Sequence, residues 1–254
     1  MKTLVCVKRV PSTGARIVLT EDEQEINTRN LGFVISPHEE CGVEQAVQLK
    51  EAHGGEATVM TLGSEDSIDQ LRWALSLGID KAVLLPTDGA DWDPVATADA
   101  LTSAIKQLSD EGESFDLMIF GNESADSGGY QVGIRVAHAL GLPVVGGVKS
   151  LEIVDGKAIA KRQVGKGWEV YELPLPAVVT VKEGITWPRY PSLPGRMRAK
   201  KKPITRIEPQ AMDGGLVKLR LKNPVETQSE VEILGQGPAA AGKIVAKMKE
   251  LGVI

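Results

Sequence analysis

Two cysteines in 254 residues, Cys6 and Cys41, are too few for a disulfide framework or for a zinc or iron–sulfur centre. Three histidines, His38, His53 and His138, stand without paired acids at metal-ligand spacing, and no nucleophile–base constellation stands out. The chain has neither a Walker loop nor a GxGxxG run. No apolar stretch is long enough to span a bilayer. Met1-Lys2-Thr3 leads into a short apolar run that ends at Lys8-Arg9, which is not the layout of a secretory leader. The expected compartment is therefore reducing: the bacterial cytoplasm, or the mitochondrial matrix in a eukaryote. A formal net charge of −5 argues against a nucleic-acid partner.

Aromatic residues are equally scarce at 4%, whereas the hydrophobic fraction is 42%. Ala, Val, Leu, Ile and Gly dominate, the palette of buried parallel strands covered by small-residue helices. Thr3 to Val7 reads as a buried first strand, followed by a polar, turn-rich segment from Pro11 to Asn30. Val43, Ala46, Val47 and Lys50 have helical spacing. Ala57 to Leu62 is a second strand ended by Gly63, and Ser64 is placed to cap a helix carrying Ile68, Leu71 and Leu75 before Gly78. Ala82 to Leu85 is a third strand. Asp93-Pro94 then opens a helix whose Val95, Ala98, Leu101, Ile105 and Leu108 form one apolar stripe. A fourth strand, Leu117 to Phe120, precedes a helix marked by Val132, Val136 and Leu140.

Four strand–helix alternations predict a doubly wound parallel sheet of the Rossmann-like kind, with ligands beyond the carboxyl ends of the strands. From Val148 the pattern changes. Leu151 to Val154, Ala158 to Gln163 and Trp168 to Leu173, separated by glycine turns, predict an antiparallel ribbon, and Ala177 to Val181 returns to a buried strand. Three regions are expected: an α/β domain over 1–182, a long exposed loop over 183–203, and an extended C-terminal arm with a terminal helix over 204–254. That helix carries Ile244, Met248 and Leu251 on one face. The arm is too poor in apolar residues for its own core and is expected to pack on another chain.

Two segments carry chemistry. The turn from Gly121 to Gly133 leaves a strand and enters a helix, so its backbone amides can face an anion, and Gly128-Gly129 permits close approach. The plainer reading is a glycine-rich reversal of the chain. The second segment runs from Pro188 to Pro203 and sets Leu193 on a proline-stiffened loop flanked by positive charge. Burying that leucine in a partner would contribute ~1.5–3 kcal/mol, enough for an anchor in a transient complex. The lysine run alone reads as a solvated basic stretch.

Val5-Cys6-Val7-Lys8-Arg9-Val10-Pro11, Glu44 to Glu51, Ala74 to Ala82 and above all Pro188-Arg189-Tyr190 through Ala199-Lys200-Lys201-Lys202 resemble the β subunit of electron transfer flavoproteins. The resemblance covers most of the chain and implies an adenine-nucleotide α-hydrolase-like domain. It also implies pairing with the electron transfer flavoprotein α subunit, which holds most of the redox-active FAD while β buries a structural AMP. Carried over by position, the AMP pocket comprises Cys6, Ser36, Leu62, Gly63, Glu123, Asp126, Ser127, Gly128, Gly129, Gln131, Val132, Gly133 and Ile134. Docking of acyl-CoA or other flavin dehydrogenases falls to Tyr190, Pro191, Ser192, Leu193, Pro194, Gly195 and Met197, with Leu193 as anchor. Electrons then pass to a membrane quinone reductase, the electron transfer flavoprotein–quinone oxidoreductase, with no membrane insertion of this chain. The resemblance gives the chain no catalytic residues of its own.

Three positions depart from the family pattern. Ser36-Pro37 stands where Asn-Pro is common, Ser127 to Tyr130 replaces a more acidic stretch, and Gln163 occupies an often acidic place near the flavin-domain contact. Some relatives bifurcate electrons and bind a second FAD in place of AMP; the Ser-Leu-Pro-Gly and triple-lysine segment here favours AMP. An adenine-nucleotide-sensing module would account for the Gly121 turn but not for the Leu193 segment or the arm.

Overall fold

In the computed structural model, which describes residues 1–210, 215–224 and 231–254, the alternating pattern becomes a nine-stranded sheet. Its parallel centre is built from β1 (Lys2–Cys6), β4 (Glu56–Gly63), β5 (Lys81–Pro86), β6 (Leu117–Gly121) and β10 (Ala177–Val181). Two short strands, β2 (Arg9–Pro11) and β3 (Phe33–Ile35), form a separate antiparallel pair flanking the turn-rich segment, and β11 (Thr205–Arg206) extends the edge beside β5. The ribbon follows from β7 (Val144–Val154), β8 (Lys157–Val164) and β9 (Gly167–Pro174), giving the order β11-β5-β4-β1-β6-β10-β7-β8-β9.

Alternation along the strands explains the layering. In β1, Val5 packs in a cluster with Val43 and Val47 of α1 (Pro37–His53) and Leu71 of α2 (Ile68–Leu77). Its neighbours Leu4 and Cys6 join the opposite cluster, with Leu101 and Ile105 of α3 (Pro94–Asp110) and Val136 of α4 (Val132–Leu140). Side chains that alternate across a strand thus serve two helical layers. Asp93 caps α3 as its sequence implies, its side chain accepting from the Val95 amide at 2.8 Å. Gly141 ends α4 in the left-handed conformation at φ 67°.

One strand links the parallel sheet to the ribbon. The first half of β7 runs parallel to β10, pairing Val144 with Val178, and the second half runs antiparallel to β8, pairing Leu151 with Ala160. Gly146 and Gly147 sit where the β7–β10 register shifts, and the Gly147 amide donates to Thr180 Oγ1 at 3.2 Å. The ribbon expectation therefore holds, with β7 beginning earlier than Val148.

Two expectations need correction. Ser64 begins a short 3-10 turn, Glu65–Ser67, and its side chain makes no capping bond; α2 starts only at Ile68. The supposed irregular loop over 183–203 contains α5 (Leu193–Lys201). Its nine residues lack an apolar stripe, so no period announced the helix. It is held instead by polar contacts: Ser192 Oγ accepts from the Gly195 amide at 3.1 Å, and Arg72 of α2 donates to the carbonyls of Ala199 and Lys202. The terminal helix, α6 (Ala241–Glu250), has no buried residue. Much of the expected arm is visible, with the Leu221 amide donating to Glu23 O at 2.7 Å, while 211–214 and 225–230 lie outside the described residues. No helix among the described residues is long and apolar enough to cross a membrane.

The seat of α4 is tight. A methyl group on Gly133 would come within 2.9 Å of Phe120 Cβ on β6 and of Thr180 Cγ2 on β10. Gly133→Ala is expected to destabilise the fold by about 1–3 kcal/mol, seen as a lower urea midpoint at unchanged slope; an unchanged midpoint would mean that α4 lifts freely from the sheet.

Candidate functional site

Strand order reverses between β1 and β6. From β1 the chain proceeds outward to β4 and β5, whereas β6 leads the other way to β10. The connections above the carboxyl ends of β1 and β6 therefore diverge to opposite faces and leave a crevice. Ser36, at the start of α1, and the turn after β6 close over it. Ser36 Oγ accepts from the Ala125 amide at 3.1 Å. Lys8, just past β1, reaches Asp126 with its ammonium at 2.5 Å and lies 3.9 Å from Asp91.

The turn itself is internally braced. The Ser124 and Ser127 hydroxyls lie 2.9 Å apart, the Gly128 amide donates to Ser124 O at 3.0 Å, and the Ser127 amide to Asp126 Oδ1 at 2.7 Å. Gly128 and Tyr130 both adopt positive φ, at 55° and 56°, which turns successive amides toward one side. Among the described residues, the amides of Gly129 to Ile134 donate to no protein acceptor. Those of Val132, Gly133 and Ile134 form the open N-terminus of α4, where the helix dipole favours an anion. The Gln131 side chain is occupied elsewhere, accepting from Arg135 Nη2 at 2.9 Å.

Within this turn the Asp126 carboxylate is opposed by the Lys8 ammonium. Burial works against the Asp126 carboxylate, but Lys8 together with hydrogen bonds from the Ser124 hydroxyl and the Ser127 amide outweighs it and holds the group below its ordinary range. Glu39, on the first turn of α1, is buried beneath and packs against Gly121. The Lys8 backbone amide donates to its Oε2. Burial nevertheless pushes the Glu39 carboxyl up to about 8. His38 is half enclosed, with Nε2 3.8 Å from Glu123 Oε1 and Nδ1 buried without a partner; burial keeps its pKa below the usual value.

The expected pocket residues thus divide. Ser36, Glu123, Asp126, Ser127, Gly128, Gly129, Gln131, Val132, Gly133 and Ile134 gather at the crevice. Cys6 and Leu62 lie below it in the α3–α4 cluster, which Val132 also joins, and burial pushes the Cys6 thiol up. Gly63 is committed to its own turn: a Cβ there would meet Ser67 Oγ at 2.5 Å. Sequence reasoning missed Lys8, Glu39 and Asp91. The only hint was the Lys8-Arg9 pair directly after a buried strand.

Around α5 the surface has a different character. Tyr190 is 90% exposed, Leu193 73% and Met197 61%. Arg196, Arg198, Lys200 and Lys201 are exposed beside them and form no ion pair among the described residues. Pro191 is half-buried, and Ser192 and Gly195 serve the helix itself, Ser192 as its cap and Gly195 as the flat contact against Ser76 O. A cleft of about 370 Å³ lies between α2 and this segment, lined by Ser76, Gly78, Arg189, Tyr190 and Arg198 among others. Because α2 runs back from the carboxyl edge of the sheet, that cleft sits at the opposite edge from the crevice.

The family model for the electron transfer flavoprotein domain matches residues 25–212. The chain is 36% identical to an electron transfer flavoprotein subunit beta of Syntrophomonas wolfei, over 98% of this chain and 96% of that protein. It is 37% identical to the corresponding subunit of Bacillus subtilis, over 84% and 81%. It is also 34% identical to the caffeyl-CoA reductase-Etf complex subunit CarD of Acetobacterium woodii, over 81% and 77%.

Glu39 gives the crevice a pH signature. Its carboxyl keeps its proton in the fold up to about pH 8, whereas an unfolded chain releases it near its ordinary value of 4.5. The folded state therefore binds the extra proton between these values, and the stability linked to Glu39 declines as pH rises through that window. Glu39→Gln is expected to remove this decline, so that the variant gains on the wild type between pH 5 and pH 8 in urea titrations. A constant difference across that range would place the ionised form in the native state throughout.

Proposed function

The chain belongs to the electron transfer flavoprotein β-subunit family, and from that premise we propose that it is the β half of a heterodimeric electron carrier between flavin dehydrogenases and a membrane quinone reductase. The observation that carries this reading is Leu193, largely exposed at the first turn of a helix whose backbone is pinned to the body of the protein. An apolar side chain held in water on a fixed support, ringed by unpaired cations, suits brief docking into an apolar pocket with an acidic rim. A carrier must leave its donor, so one anchor worth ~1.5–3 kcal/mol on burial matches the task. Acyl-CoA dehydrogenases are the donors we favour. The α subunit covers the apolar side chains that the arm and α6 leave exposed, including Leu219, Val231, Ile233 and Leu251. Compartment follows from this role: the bacterial cytoplasm, or the matrix in a mitochondrial homologue.

In this reading the crevice holds a structural AMP. The free amides of Gly129 to Ile134 fit a phosphate, and Gly128 and Gly129 let it approach the backbone. Lys8 pairs with Asp126 in the same turn and so lowers the repulsion toward an anion. Ser36, by holding the Ala125 amide, sets the height of the loop over the crevice. FAD, when bound, supplies the redox chemistry and is held mainly by the α subunit; this chain's part is to shape one wall of its site. Gln163 lies exposed at the ribbon end, paired with Trp168 across β8 and β9, where loss of a carboxylate would loosen contact with the flavin domain.

Likeness to a subunit of a caffeyl-CoA reductase–Etf complex favours a second reading, a bifurcating carrier with a second FAD in the crevice. Denaturing release of small molecules from the heterodimer, resolved by mass and absorbance, separates the two. One FAD and one AMP per heterodimer is the expected result; two FAD and no AMP selects the second reading; neither nucleotide removes both.

Docking has its own test. Leu193→Ala is expected to slow electron transfer from a reduced acyl-CoA dehydrogenase by roughly tenfold, the scale of one buried leucine, with the flavin potential unchanged. Transfer at the wild-type rate would dismiss Leu193 as anchor.

A further inference from the structure

Arg189 lies in the segment between β10 and α5, one residue before the exposed Tyr190 and four before Leu193. Its guanidinium joins two carboxylates of α1. Nε and Nη2 donate to Glu44 at 2.9 and 2.8 Å, while Nη1 and Nη2 donate to Glu51 at 2.7 and 2.9 Å. The Arg189 backbone amide also donates to Glu44 Oε2 at 3.2 Å. Glu44 and Glu51 stand two helical turns apart and so share one face of α1. Gln48 lies between them on that face, donating to Glu44 Oε1 at 2.9 Å and to Thr186 Oγ1 at 2.8 Å. The start of the docking segment is thereby tied to α1 at Thr186 and again at Arg189.

Glu44 has only 2% of its side chain exposed, so its charge must be answered within the protein. The planar five-donor fork of arginine meets each of the two carboxylates with two N–H groups in fixed directions; lysine offers a point charge without that fixed geometry. At the far end, Arg72 gathers the carbonyls of Ala199 and Lys202, and Lys202 Nζ donates to Ile79 O at 2.6 Å. Between these ties stand side chains with no support from the core: Trp187 is 87% exposed, as Tyr190 and Leu193 largely are. Holding such groups in one arrangement before association removes an ordering cost that binding would otherwise bear.

We propose that Arg189 is a positioning residue for partner docking: its paired salt bridges to Glu44 and Glu51 set the Trp187–Met197 surface in its docking arrangement before the partner arrives. The proposal rests on the docking role assigned to Leu193. It predicts an effect on donor affinity rather than on the electron-transfer step, because nothing in the tie reaches the crevice.

The test uses the co-expressed heterodimer with a substrate-reduced acyl-CoA dehydrogenase as donor. Arg189→Ala would leave Glu44 buried and unanswered and so threatens the fold. Arg189→Lys, which keeps the charge but loses the fork, and Glu51→Gln, at an exposed acid, are the informative variants. For Arg189→Lys the expected outcome is faster amide hydrogen exchange over residues 187–198 in the free heterodimer. The half-saturating donor concentration should rise roughly tenfold, as loss of pre-organisation implies, at an unchanged saturating rate and flavin potential. Glu51→Gln should show the same pattern, more weakly. If Leu193→Ala weakens docking but both clamp variants retain wild-type half-saturation, the proposal fails while the docking reading stands, whether or not exchange becomes faster. A fall in the saturating rate with a shifted flavin potential would also overturn it, by placing the effect at the cofactor. If neither Leu193→Ala nor the clamp variants alter half-saturation, or the wild type shows no saturable transfer, the docking reading itself falls and this inference with it.

Discussion

Parallel strands cannot be joined by short hairpins, and the right-handed crossovers they demand put each connecting helix on a face decided by the direction of travel. In this protein the direction reverses at the β1–β6 boundary. Everything at the crevice depends on that reversal. Because α1 and α4 leave to opposite faces, the ends of β1 and β6 are not roofed by a helix, and the Lys8, Ser36 and Gly121–Gln131 backbones meet in the gap. The bond from the Ala125 amide to Ser36 and the Lys8–Asp126 pair are then local fastenings across an opening that topology has already made.

The parallel core was legible because its information is local. The central strands are short, near-continuous apolar runs, and Asp93-Pro94 and Gly141 mark helix ends by mechanisms that act within a few residues. The ribbon was legible for the same reason, its glycine turns separating three runs of strand-forming residues. Helix α5 was not. Its stabilising partners are Arg72 and Ser76, far away in the chain, and a helix held by carbonyl contacts and a serine cap leaves no apolar stripe to read. The crevice shows the same division. Its glycine turn announced itself, whereas Glu39 and Asp91 acquire meaning only when Lys8 is brought beside them. The conformation of Tyr130, at positive φ in a bulky residue, likewise has no local signature.

Two kinds of apolar exposure coexist on the surface and call for different physics. Around α6 and the arm, exposed aliphatic side chains extend over long stretches with little support from the body of the chain, which fits a large and lasting interface in which folding and association are linked. Around α5 the exposed groups are few and their backbone is tethered at several points, which fits a small contact formed and broken many times. A single chain thus carries one surface suited to permanence and another suited to turnover.

The crevice opens at the carboxyl edge of the sheet and α5 at the amino edge, with the full length of the strands between them. Among the described residues no side chain is shared between the two, and the ties of α5 run to α1 and α2 without touching the glycine turn. Selection on one end therefore meets little resistance from the other. On the proposed reading, a lineage that acquires new redox clients can let the residues around Leu193 drift toward each new surface while the crevice stays under its own constraint, so that descendants of one ancestor diverge in clientele and keep a common chemistry.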